Sequence, residues 1–304
     1  MLIRPPPGIR DNEGMGNMTM FMRLLAWTAA ALGLTSVAAR AADPVNWQLG
    51  LSDPVTPVAA EQIWFHNQLL MPIITIVTVF VTVLLIYTCW RFSEKRNPVP
   101  SKTTHHALLE VAWTLIPILI LVGISFPSLR LLYMSDDATD AEMTLKVTGH
   151  QWYWEYAYPD HGDFSFEAFM VPEDELVEGQ KRLMDTDMPV VIPTGTKIRM
   201  LITSGDVLHN WSLSEFGVRI DAVPGRLNQA PFMVPEGNEG TYYGFCSELC
   251  GKDHAYMPIM VKAVSKAEFE EWVKMAQEEF ASNDNNSAPS SVTDIRTAWL
   301  SAAE

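Results

Sequence analysis

Cys246-Ser-Glu-Leu-Cys250-Gly-Lys-Asp-His254-Ala-Tyr-Met257 places two thiols, an imidazole and a thioether within twelve residues. Thiolate and thioether are soft donors, and together with imidazole they suit copper better than hard cations. A further histidine, His209, stands upstream in Asp206-Val-Leu-His-Asn-Trp211. Two Cys, two His and one Met hold more sulfur than a single blue-copper ion uses. Cysteines four apart on a tight loop can aim at one point, so their sulfurs can bridge two metal ions.

Two alternatives stay open. Zinc also takes Cys and His, though usually as C-x-x-C pairs and without need of a residue such as Met257. A Cys246–Cys250 disulfide closes a very short loop, which is geometrically demanding, and leaves both histidines unexplained. Each residue alone is a weak signal, and the joint spacing carries the reading. No C-x-x-C-H occurs, so no covalently attached haem is expected.

The chain has 304 residues and a formal net charge of −15. From Asp136 to Glu304 there are 29 Asp+Glu against 12 Lys+Arg, a net charge of −17 for that part. Such a surface excludes nucleic acid as a partner and suits either a basic protein or simple solubility. The third cysteine, Cys89, lies in an apolar run, so no disulfide framework is present.

Residues 1–42 read as an export leader, with Arg23 before the apolar run 24–34 and Ala39-Arg-Ala41 as a cleavage site. Translation can begin at Met18 or Met20 instead of Met1. Residues 43–62 read as an irregular periplasmic lead-in. A transmembrane hairpin follows over 63–134, with spans at about 69–90 and 111–134, each long enough to cross a bilayer as a helix. Trp64, Phe65 and Trp90 sit where interface aromatics sit, and Pro72, Pro117 and Pro127 allow kinks. The loop between the spans holds Arg91, Lys95, Arg96 and Lys102 against Glu94, so it faces the cytoplasm. Both termini then lie outside, in agreement with the leader.

From about residue 142 the apolar period becomes two. Strands are predicted at 143–148, 189–193, 198–203, 241–245 and 257–264, broken by turn dipeptides such as Thr194-Gly, Ser204-Gly and Pro224-Gly. Many short strands indicate an all-β sandwich or barrel. Residues 266–280 repeat Phe269, Trp272, Val273 and Ala276 at helical spacing, and the tail 281–304 is polar and expected to be disordered.

Several stretches together resemble subunit II of a haem–copper cytochrome c oxidase of bacterial type. They are Trp64-Phe-His-Asn67, Glu110-Val-Ala-Trp-Thr-Leu-Ile-Pro117, Pro127-Ser-Leu-Arg130, Gly149-His-Gln-Trp-Tyr-Trp154, Asp206-Val-Leu-His-Asn-Trp211, Asp221-Ala-Val-Pro-Gly-Arg-Leu-Asn-Gln229 and Tyr242-Tyr-Gly-Phe-Cys-Ser-Glu-Leu-Cys-Gly251. The resemblance covers about residues 45–275. It implies a cupredoxin-like domain over 135–280 that holds the binuclear CuA centre. Cys246 and Cys250 would bridge two coppers, with His209 and Met257 completing one, and His254 and the Glu248 carbonyl the other. The Glu248 side chain would bind Mg or Mn at the boundary with the catalytic subunit. Trp152 would take electrons from cytochrome c and pass them, through the coppers, to haem in that partner subunit, which reduces oxygen and moves protons. Glu110 would mark the cytoplasmic mouth of a proton pathway.

Asp187 and Asp206 match acidic docking positions of the family, whereas Ala157 and Gly205 replace acids that relatives often carry. Glu155, Asp160 and Asp185 are candidate substitutes. The implied location is the bacterial inner membrane, with the copper domain and both termini periplasmic, among lipid and the other oxidase subunits. A membrane-tethered copper carrier or assembly chaperone is the competing function.

Overall fold

A computed structural model describes residues 47, 48 and 50–280. The leader 1–42 and the tail 281–304 lie outside the described residues. The chain turns helical at Pro57, where Thr56 caps the first turn by accepting from Ala59 N at 3.1 Å and proline occupies N1. This corrects the lead-in. Residues 57–62, expected to be irregular, belong to α1 (Pro57–Trp64). A π-helical turn, Phe65–Leu70, then leads into α2 (Met71–Arg91). Pro72 has no N–H for the preceding turn, and Met71 N reaches back five residues to His66 O.

The 21 residues of α2 span about 31 Å at 1.5 Å per residue, the thickness of a bilayer's hydrocarbon core. α3 (Ala107–Asp136) contains Pro117 and Pro127, and no residue of α2 or α3 is buried. Ile76, Phe80, Leu85, Leu119, Leu121 and Phe126 are more than half exposed. Each large apolar side chain left in water forgoes about 1.5–3 kcal/mol. These helices are therefore not a soluble core hairpin, and lipid or partner helices must cover them.

Among the described residues ten strands form two five-stranded sheets. The first runs β3 (Phe164–Ala168), β2 (Tyr153–Tyr158), β1 (Met143–His150), β5 (Ile198–Ser204) and β8 (Asn228–Phe232). The second runs β4 (Val190–Pro193), β10 (Pro258–Val264), β9 (Gly240–Cys246), β6 (His209–Leu213) and β7 (Val218–Ala222). β1–β5 and β4–β10 pair in parallel, and the other pairs are antiparallel. Alternate residues of β1 and β2 point inward, so Trp154, Tyr156 and Tyr158 meet Trp211, Leu213 and Ile192 in one core.

α4 (Lys266–Phe280) closes one side against β3 and β4. Ser265 and Glu268 form a reciprocal capping box at its start, Glu268 N to Ser265 Oγ at 3.3 Å and Ser265 N to Glu268 Oε2 at 2.9 Å. Its buried face is Phe269, Trp272, Val273 and Ala276, as the spacing predicts.

Candidate metal centre

Strand register brings the sulfur-rich segment and His209 together. β6 begins at His209, its neighbour β9 ends at Cys246, and β10 begins one residue after Met257. Antiparallel pairing sets Trp211 opposite Cys246 and Phe245 opposite Pro258, so these three residues collect at one end of the second sheet. Cys246 N donates to Met257 O at 3.1 Å, and Ser247 N to Asn210 O at 3.0 Å. The connection from Ser247 to Tyr256 carries Cys250 and His254 over the same end.

Both cysteines are free thiols, with sulfurs 3.8 Å apart, against about 2.05 Å in a disulfide. His209 Nδ1 lies 3.9 Å from Cys246 Sγ, and His254 Nδ1 lies 3.6 Å from Cys250 Sγ. The Glu248 carbonyl oxygen stands 3.3 Å from Cys246 Sγ, while the residue itself is exposed. The ligand atoms of His209, Cys246 and Cys250 all lie within 4.8 Å of one another. Half of the sulfur–sulfur distance is shorter than a metal–thiolate bond of about 2.3 Å. An ion can therefore bind both sulfurs from either side of the line between them. Met257 is buried with the cysteines in the same cluster. The two thiols, His209 and Met257 are buried, and His254 is half-buried.

The electrostatics favour a bound cation. Burial pushes the Cys246 thiol up, but hydrogen bonds from His209 and from the backbone of Asn210 outweigh it and bring it down to about 7. Burial and the neighbouring Cys246 charge push Cys250 up to about 12. One thiolate thus forms readily and resists the second, until positive charge between them removes the repulsion. Burial works against a charged His209, yet hydrogen bonds to Cys246 and Asp206 raise its pKa above the usual histidine value.

Trp152 approaches this centre through the protein backbone. Its Nε1 donates to Cys250 O at 3.2 Å, and Gln151 Nε2 donates to the same oxygen at 2.9 Å. The Gln151–Trp152 peptide is cis. Gly251, at φ +124°, lets the ligand loop lie against the indole, since a Cβ there would meet Trp152 Cζ2 at 3.0 Å. Gly149 does the same for His209, whose Cδ2 would stand 2.9 Å from a Cβ.

Gln151 has no metal-binding chemistry, and reading the sequence alone gives it no role. Its place beside Trp152 was the one available signal. Asp206 is held by the site as well as facing outward, with Oδ1 2.8 Å from His209 Nε2 and Oδ2 accepting from Gln151 N at 2.7 Å.

Asp185 must be withdrawn from the docking residues. It is 4 % exposed and accepts from Lys181 N in its own loop and from Tyr243 Oη on β9. Glu155 pairs with His150 at 3.3 Å. Asp160 accepts from Thr144 N at 2.6 Å, and Asp187 from Phe169 N at 2.7 Å. Glu110 lies in the first turn of α3, where its carboxylate accepts from His106 N at 3.3 Å. The remaining 26 residues of the helix separate it from the β domain's side by roughly 40 Å.

Comparison with known proteins gives the same assignment over nearly the whole described chain. The family profile for the cytochrome c oxidase subunit II periplasmic domain matches residues 143–264, and that for its transmembrane domain matches 44–131. A probable cytochrome c oxidase subunit 2 from Rickettsia bellii is 44% identical over 260 residues, covering 86% of this chain and 95% of the relative. The chain belongs to the cytochrome c oxidase subunit II family.

Cytochrome c oxidase subunit 2 of Oenothera berteroana is 45% identical over 239 residues, covering 77% of this chain and 91% of that protein. Among solved structures, the periplasmic domain of subunit II of cytochrome oxidase from Bradyrhizobium japonicum is 48% identical, with a TM-score of 0.43. That match covers 46% of this chain and 97% of the other. The match to the transmembrane domain and the two long apolar helices make this a membrane-anchored chain.

Proposed function

We infer that the chain is the electron-accepting subunit of a proton-translocating cytochrome c oxidase. The single observation that carries this is the pair of free, buried thiols 3.8 Å apart with one imidazole beside each. We assign Cys246 and Cys250 as residues that would hold a copper pair, the CuA centre. His209, Met257, His254 and the Glu248 carbonyl would complete its set of donors. Bound there, the copper pair supplies a one-electron carrier whose charge is spread over two ions. The protein's part is to hold His209, Cys246 and Met257 at strand ends and Cys250 and His254 on the connection packed over them, so that little moves when the charge changes.

Trp152 is the electron-accepting surface residue. Its indole is half-buried and its N–H rests on the carbonyl of a ligand cysteine. Cytochrome c brings a basic face to the carboxylates of Glu155, Asp160, Asp187 and Asp206, and opposite charge speeds that encounter. The electrons go on to haem in the catalytic subunit, where oxygen is reduced.

The exposed Glu248 carboxylate suits Mg or Mn at the boundary with that subunit, as an oxygen ligand suits a hard ion. Glu110 serves as the mouth of the proton pathway on the other side of the membrane. The basic residues between α2 and α3 set the orientation, with that loop in the cytoplasm and residues 135–280 in the periplasm of a bacterial inner membrane. The hairpin occupies 63–134 and the leader 1–42. Metal analysis of the purified oxidase tests the reading. A pair of coppers per subunit II, absent from Cys246→Ser, is expected; zinc in their place would overturn it.

A further inference from the structure

We propose that Asp206 is a positioning residue, which fixes the tautomer and ring orientation of His209 and ties that ligand to the backbone leading into Trp152. The proposal rests on the copper-pair reading above. His209 is fully buried, with Nε2 2.8 Å from Asp206 Oδ1 and Nδ1 turned toward Cys246 Sγ. A carboxylate accepts only, so the nitrogen facing it carries the proton. The lone pair is then on Nδ1, where a metal ion would need it. The ring lies against Gly149 on one side and edge-on to Trp154 at 5.9 Å.

The carboxylate makes three further contacts within the domain. Oδ1 also accepts from Val207 N at 2.6 Å and meets Ser204 Oγ at 3.3 Å, and Oδ2 accepts from Gln151 N at 2.7 Å. Gln151 Nε2 and Trp152 Nε1 both end on Cys250 O. One carboxylate therefore spans from a metal-ligand imidazole to the residue that precedes the electron-accepting tryptophan. His254 has no equivalent. Among the described residues no carboxylate is hydrogen-bonded to it, so the two imidazoles of the centre are electronically unequal. The same residue, read from sequence, is a docking acid, and the two roles predict different things.

The experiment compares wild type, Asp206→Asn and Asp206→Glu in the assembled oxidase. Four quantities are measured: the reduction potential of the copper centre, the magnetic couplings of its two histidines, its copper affinity, and KM for cytochrome c against ionic strength. Asp206→Asn is expected to raise the potential, because a nearby negative charge is lost. It should alter one histidine coupling only and lower copper affinity about 10–100-fold, whatever the loss of charge does to KM. Asp206→Glu, which keeps the carboxylate, should restore part of the potential.

An unchanged potential with a raised KM and a flatter salt dependence would make Asp206 a docking acid and overturn the proposal. Should neither variant assemble, hydrogen exchange in wild type decides. The Nε2 proton of His209 should exchange more slowly than that of His254, and equal rates would overturn the proposal. A wild-type oxidase that binds no copper pair would instead defeat the assignment of the centre itself.

Discussion

The carbonyl of Cys250 has two side-chain donors, Gln151 Nε2 at 2.9 Å and Trp152 Nε1 at 3.2 Å, and the residue is 3 % exposed. Trp152→Phe keeps an aromatic ring and removes one N–H. Gln151→Ala removes the other donor and leaves the Gln151 N–H on Asp206 in place. Either single change costs about one net hydrogen bond, 0.5–1.5 kcal/mol, because the remaining donor still satisfies the carbonyl. The double variant leaves that buried oxygen unpartnered, which adds a desolvation penalty of about 1–3 kcal/mol. The double-mutant cycle should therefore show an interaction energy of that size.

Urea unfolding of the full chain in detergent, followed by the absorption of the copper centre, measures it. The kinetic signature differs from the stability one. Trp152→Phe should slow reduction by cytochrome c in stopped-flow while copper content holds, and Gln151→Ala should reduce at close to the wild-type rate. Strictly additive stabilities would refute the shared-acceptor reasoning. Undiminished reduction of Trp152→Phe would remove Trp152 from the electron path.

Met257→Leu conserves volume and should cost less than about 1.5 kcal/mol in stability, yet change the visible spectrum and potential of the copper centre; a wild-type spectrum would take Met257 out of the ligand set. Glu215 is buried beneath the lead-in, whose Val55 N donates to Glu215 O at 2.9 Å and Thr56 Oγ1 to Phe216 O at 2.8 Å. Burial raises its carboxyl above the usual range, offset only in part by its own backbone N–H and the Ser52 hydroxyl. Its folded pKa exceeds its unfolded one, so its contribution is whole below about pH 4.3 and is lost as pH rises through the raised value. Amide protection factors of residues 55–62 should fall with pH in wild type and lose that dependence in Glu215→Gln; matching profiles would show that Glu215 does not control the contact.

The membrane helices were legible because a bilayer demands a length and a composition, and α2 and α3 meet both. β1, β5, β9 and β10 showed through their alternation or apolar runs. β6 did not, since all five of its residues are buried and no period-two pattern is left to read. β8 carries Asn228, Gln229 and Pro231, a composition that argues against a strand. α1 was missed because it has only eight residues and joins a longer apolar helix. The clustering of His209 with Cys246 and Cys250 was legible because soft donors crowded in one loop are rare in any other role. Its supports were not. Asp206 reaches His209 three residues on, but also Gln151 from 55 residues away, and Gln151 reaches Cys250 across 99. Such partnerships exist only after the sheets have registered. Asp185, a candidate docking acid in the sequence, is buried where its loop folds back and Lys181 N donates to it.

Electron paramagnetic resonance of the oxidised, copper-loaded protein tests the central claim most directly. The account predicts hyperfine structure from one unpaired electron shared equally by two copper nuclei, held by the sulfurs of Cys246 and Cys250. Hyperfine structure from a single copper nucleus would contradict it.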